Sequence, residues 1–205
     1  MKAHHTVHEA KHPAKAVKLS DPSLRKHLLA MYKADQDVRN AWIKAGLKLS
    51  SPQAKRMEEV DANNLVRLKK ILAANGFPTL AMVGKEGVHA AFILVQHATR
   101  DPALQEHVLL QLEKLYKRGD VTGQDFAMLT DRVLLGQGKP QIYGTQFISD
   151  KNTHGEIMLR PIRDVAHVDS RRASVGLPPL KMYACVLSHY YNKPFFLARG
   201  EGQGR

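Results

Sequence analysis

Apolar positions recur with a helical period over the first two thirds of the chain. Ser20-Asp21-Pro22 places a capping residue before a proline in the first turn and predicts a helix running to about Gly46. Its apolar stripe is Leu24, Leu28, Met31, Tyr32, Val38 and Trp42. Ser51-Pro52 opens a second helix with a stripe of Met57, Val60, Leu65, Leu68, Ile71 and Leu72, and Asn75-Gly76-Phe77-Pro78 stops it. A third helix is predicted near 85–99. It is apolar nearly all round, from Val88 through Ala90, Ala91, Phe92, Ile93, Leu94 and Val95, which marks it as the buried centre of a bundle. Asp101-Pro102 caps a fourth helix ending at Gly119, and Thr122 or Gly123 opens a fifth ending near 136–138.

The period changes after residue 140. Segments 141–148 and 156–162 flank a turn-like 150–155, which predicts a β-hairpin with a longer loop, followed by two short helices near 169–175 and 178–191. The polar, His-rich residues 1–19 and the Gly-rich 193–205 read as tails. The predicted fold is mainly α: a single-domain helical bundle over 20–192 with a small C-terminal β-hairpin and two short helices.

Composition narrows the function classes. With 205 residues, 43% of them hydrophobic and 24% charged, the chain has the size and balance of one ordinary globular domain. No run of eighteen apolar residues predicts a membrane span, and the first twenty residues lack the apolar core of a signal peptide. One cysteine, Cys185, cannot form an internal disulfide or a Cys-rich zinc site. A cytoplasmic location is the expectation, and export without a cleaved signal is compatible with the same features. A formal charge of +12 favours a polyanionic partner such as nucleic acid, but no five Lys/Arg are consecutive and aromatic residues make up only 6%. His4, His5, His8 and His12 sit in the tail, where no fixed geometry would hold a metal.

The informative feature is polarity where the helices should be apolar. Asp35 and Arg39 fall near the centre of the first stripe, four residues apart and able to pair. Asp61 and Asn64 sit on the second stripe. Buried charge costs several kcal/mol unless it is paired, so these residues are either structural ion pairs or the lining of a wet pocket. His97 ends the buried third helix beside Gln96, and a histidine next to a carboxylate has the parts for general acid–base work near neutral pH. His89, two turns earlier, is a weaker candidate. Asp131 and Arg132 lie off the main stripe of the fifth helix, where a salt bridge is the simplest role. In a strand, Gln141, Tyr143 and Thr145 would share one face and, with Gln146, suit a polar ligand; Gly144 would allow close backbone approach. Arg171-Arg172 could bind an anion or simply be solvated. No Walker loop, GxGxxG, HExxH, GxSxG or CxxC pattern occurs, so no nucleotide or other cofactor is expected.

At these positions the chain resembles an uncharacterised, mostly bacterial family of domains of unknown function. The segments that carry the resemblance are Asp35-Gln36-x-x-Arg39, Asn64 with Gly76-Phe77-Pro78-Thr79, Gln96-His97-Ala98, Asp101-Pro102, Leu129-Thr130-Asp131-Arg132, Gln141-x-Tyr143-Gly144-Thr145-Gln146 and Val168-Asp169-x-Arg171-Arg172. Thr99-Arg100 departs from the more acidic or His-containing pair expected in relatives, which argues against a metal site through that turn. The resemblance implies a fold and a set of residues, not a reaction. The leading expectation is a metal-independent hydrolase or transferase with a small polar or anionic ligand. In it, His97, Asp35 and Asp61 form the catalytic group, and Arg39, Asn64, Arg132, Gln141, Tyr143 and Gln146 bind substrate. A polyanion-binding module and a secreted, toxin-like effector are the alternatives.

Overall fold

The computed structural model describes residues 18–148 and 156–196. The histidines of the N-terminal tail, the 150–155 turn and the end of the C-terminal tail lie outside the described residues. Five helices come first: α1 Pro22–Lys44, α2 Pro52–Asn75, α3 Leu80–His97, α4 Pro102–Lys117 and α5 Gly123–Gly136. Their starts follow from local chemistry. The side chains of Asp21, Ser51, Asp101 and Thr122 accept from the backbone N–H three residues on, at 2.8–3.1 Å, and satisfy donors that have no partner within the helix. α3 begins earlier than the sequence predicts. Gly84 (φ 68°, ψ 174°) makes a kink that joins a preceding turn to the helix proper, a conformation only glycine enters without strain.

As its composition predicts, α3 is central and contacts α1, α2, α4 and α5. Val83, Ala90, Ala91, Phe92 and Val95 are wholly buried and belong to one core with Leu28, Met31, Leu68, Leu112 and Leu129. Removing a side chain of this size from water contributes roughly 1.5–3 kcal/mol. No helix among the described residues is long and apolar enough to cross a membrane.

The C-terminal third forms a small cap. Strand β1 (Phe147–Ile148) pairs antiparallel with β2 (Ile157–Leu159), Phe147 opposite Leu159. A third strand, β3 (Phe195–Phe196), runs parallel to β2 and lies in the segment read from sequence as the start of a tail. A 3₁₀ turn (Val165–His167) leads into α6 (Val168–Ser174), and α7 (Leu180–Tyr191) follows. Leu159, Val168 and Leu180 make a second, smaller core.

The hairpin is shorter than predicted, because residues 142–146 form a loop around one carboxylate instead of a strand. Asp131 accepts from the N–H groups of Ile142 (2.7 Å), Tyr143 (3.0 Å) and Thr145 (2.9 Å) and from the Thr145 hydroxyl (2.9 Å). These donors would otherwise have gone to a neighbouring strand. Asp131 is therefore wholly buried, not part of a surface salt bridge. Burial pushes its carboxyl up, and the four donors pull against that shift. Gly144 takes φ 68°, and a Cβ there would come within 2.8 Å of Ile162 Cδ1. The loop's carbonyls are held from the other side. Arg172, fully buried, donates to Pro178 O (2.6 Å) and Tyr143 O (2.7 Å) and lies over the Tyr183 ring; Arg171 donates to Ile142 O at 2.9 Å. Neither arginine is given over to solvent.

Replacing Asp131 with Ala would leave three backbone donors and a hydroxyl without an acceptor. Denaturant unfolding should show a loss of more than about 3 kcal/mol. Asp101→Ala, which removes a helix cap and a surface ion pair with Lys69, should cost about 1–2 kcal/mol.

Candidate active site

Three helices bring the inward polar residues together. On α1, Asp35 is 1% exposed and its partner Arg39 lies one turn on, so both face α3 and α2. Arg39 Nη1 donates to Asp35 Oδ1 at 2.8 Å, and Nη2 donates to both oxygens of Asp61 on α2 at 3.0 and 2.9 Å. The Arg39 guanidinium thus sits between two carboxylates and is neutralised within the chain. His97, the last residue of α3, directs Nδ1 at Asp35, 2.9 and 3.0 Å from its two oxygens. Gln36 completes the shell by donating to Asp35 Oδ2 at 2.8 Å. A buried carboxylate satisfied by a guanidinium, an imidazole and an amide avoids the cost of an unpaired charge.

Electrostatics fix the state of the imidazole. Burial pushes the His97 pKa below its ordinary value, the bond to Asp35 opposes this, and the charges of Arg39 and Arg132 push it further down. Near neutral pH the ring is therefore neutral, with its proton on Nδ1 donated to Asp35 and a lone pair on Nε2. Nε2 has no hydrogen-bond partner among the described residues. Asp61 is pushed up, by burial first, with Arg39 resisting. The carboxylates and the imidazole surround a cation, and no group of three His, Cys, Asp or Glu among the described residues is disposed to hold a metal ion.

The other sequence candidates divide into two sets. Asn64, one turn after Asp61, is 6% exposed, and its Nδ2 has no acceptor among the described residues. Gln141 is wholly buried and spent on backbone: it donates to Gln146 O (3.0 Å) and Arg160 O (2.8 Å) and accepts from Gln146 N (2.9 Å). Tyr143 contributes its backbone to Asp131 and Arg172, and burial pushes its phenol up. Gln146 donates to Thr145 Oγ1 at 3.0 Å and also meets the amide of Gln96. Arg132 follows Asp131 on α5, where its charge acts on both His97 and Arg39. With the Gln96 amide oxygen turned toward it, Arg132 Nε donates at 2.7 Å, the orientation that also lets Gln146 Nε2 donate to that oxygen at 3.2 Å. No carboxylate pairs with Arg132 among the described residues. Its pKa is pushed down to about 10, by burial first and then by Arg39.

A family model described as DUF6624, a family of unknown function, matches residues 22–194. The chain belongs to the DUF6624 family. The match runs from the first residue of α1 to the residue before β3, so the DUF6624 domain includes both the bundle and most of the cap. No curated protein and no solved structure matches the chain.

Sequence reasoning missed three participants. Gln36 lies beside Asp35 within the motif that carries the resemblance, and that position was its signal. Arg160 and Tyr183 reach the site region only through the cap's tertiary folding, which no local pattern encodes. A second histidine–carboxylate contact lies elsewhere on α3: His89 Nδ1 is 3.3 and 3.4 Å from the oxygens of buried Asp125 on α5. The hydrogen bond to Asp125 raises the His89 pKa, against partial desolvation.

The two histidines should therefore titrate on opposite sides of about 6.5, the ordinary value. NMR titration of the ring resonances should place His97 below it and His89 above it. His97 adds a stability term that is present above pH 6.5 and lost as the pH falls through its lowered pKa. His89 adds one that is present below pH 6.5 and lost as the pH rises through its raised pKa. An inverted order would contradict the burial of His97 against Asp35.

Proposed function

We propose that this DUF6624 domain is an enzyme, a hydrolase or transferase, in which His97 is the general base. The supporting observation is His97 Nδ1 held 2.9 Å from buried Asp35, with Nε2 unclaimed among the described residues. In this reading a water or substrate hydroxyl gives its proton to Nε2 as its oxygen attacks an electrophilic carbon or phosphorus. Asp35 stabilises the imidazolium that forms, and Nε2 returns the proton to the departing group. Asp35 is a positioning residue, held by Arg39, which Asp61 anchors from α2. Arg39 has its donors engaged by two carboxylates, so Arg132 is the better partner for an anionic part of the substrate. Gln141 shapes the loop that presents Gln146. The cation lodged between Asp35 and Asp61 supports a mechanism without a bound metal.

Turnover can be sought with p-nitrophenyl acetate and p-nitrophenyl phosphate as generic acyl and phosphoryl donors. On any substrate found, His97→Gln should reduce kcat by about 10²–10⁴-fold while the protein stays folded. The rate should fall with acid only below pH 6.5. In Asp35→Asn that limb should move to still lower pH, because Asp35 favours the protonated ring. A folded His97→Gln protein with wild-type turnover would sink the proposal.

A further inference from the structure

Beside the histidine site, α4, α5 and the cap enclose a cleft of about 260 Å³. Arg132 and Arg160 both line it, with Thr99 and Gln146, and Leu135 and Phe147 supply apolar wall. Two arginines lining one small cleft is the feature that needs an explanation. Elsewhere in the interior, the arginines are more fully engaged. Arg39 lies between Asp35 and Asp61, and Arg172 is wrapped by backbone carbonyls and the face of Tyr183. Among the described residues, Arg132 meets the neutral Gln96 oxygen, and neither Arg132 nor Arg160 has a side-chain ion pair. Arg39 stands close enough to Arg132 to repel it. The acid in the cleft lining, Glu106, is exposed at the rim and accepts from Gln137 at 3.0 Å. Planar guanidinium groups bind oxyanions through paired, charge-assisted hydrogen bonds.

We infer that this cleft binds the oxyanion end, phosphate or carboxylate, of a small molecule, with Arg132 and Arg160 on the anion and the ligand's apolar part against Leu135 and Phe147. The volume suits a ligand of few heavy atoms and not a polymer. The inference deepens the acid–base reading by naming a substrate class. It rests on that reading for what happens to the bound molecule, but not for the binding. An anion on Arg132 would also cancel part of the positive field that holds the His97 proton off, so ligand and base would be coupled.

Calorimetry on the full chain with inorganic phosphate, phenyl phosphate and benzoate tests this. Phenyl phosphate or benzoate should bind more tightly than inorganic phosphate, and the preference between them tells which oxyanion the arginines favour. Arg132→Gln and Arg160→Gln should each weaken binding about tenfold or more. His97→Gln should still bind the probes saturably, so failure of the acid–base reading would leave this result standing. In the wild type, saturation with the tightest probe should raise the pH at which the His97 ring titrates, and in Arg132→Gln it should not. Arg160 is half-buried and lies in the cap outside the helical bundle, so its variant carries the test if Arg132→Gln does not fold. Wild-type affinity in the folded arginine variants, or no saturable binding of any probe at millimolar concentration, would overturn the inference.

Discussion

Asp35 lies almost wholly out of water on a helix whose neighbours are leucine and methionine. An ion there is tolerated only if counter-charge and hydrogen bonds are supplied from inside. The chain supplies them from α1 itself, through Arg39 and Gln36, and from α3 through His97, with Asp61 of α2 balancing the second edge of Arg39. One carboxylate thus constrains the mutual placement of three helices. Packing alone would allow α1 to rotate a little against α3; the angular demands of the His97 bond to Asp35 and the Arg39 bonds to Asp61 do not. The imidazole inherits its orientation from the same demand.

The fold was legible to different depths in different places. Helix starts were legible because Ser-Pro and Asp-Pro pairs have a local meaning that needs no tertiary context, and α3 was legible as central because no face of it could meet water. The pairing of Asp35 with Arg39 followed from spacing. The 141–146 segment was misjudged because its alternation of residue types imitates a strand. Its backbone donors instead go to Asp131, and a carboxylate that replaces a neighbouring strand leaves no periodic trace. The same blindness applied to Gln141, whose polar character serves the backbone of its own loop, and to Arg160, which meets Arg132 only once the chain has folded back over α5.

Neighbouring residues on α5 divide two tasks. Asp131 turns inward to collect the loop, and this fixes the rotation of the helix and with it the direction of Arg132. The cap is then locked by Arg171 and Arg172, whose donors go mainly to backbone carbonyls, with Asp164 3.5 Å from Arg171 Nη1. Such bonds rank with other charge-assisted ones in strength, yet they leave the positive charge formally unbalanced.

The walls of the cleft come from distant parts of the chain: α4 and α5 on one side, and Gln146, Phe147 and Arg160 of the cap on the other. The bundle is assembled from helices adjacent in sequence and can form from early contacts, while the cap closes on it through longer-range ones. During synthesis the second wall leaves the ribosome after the first. A molecule gripped from both sides would act as a strut between early and late halves of the protein, drawing its affinity only from the docked form and so shifting the balance against any state in which the cap has come away.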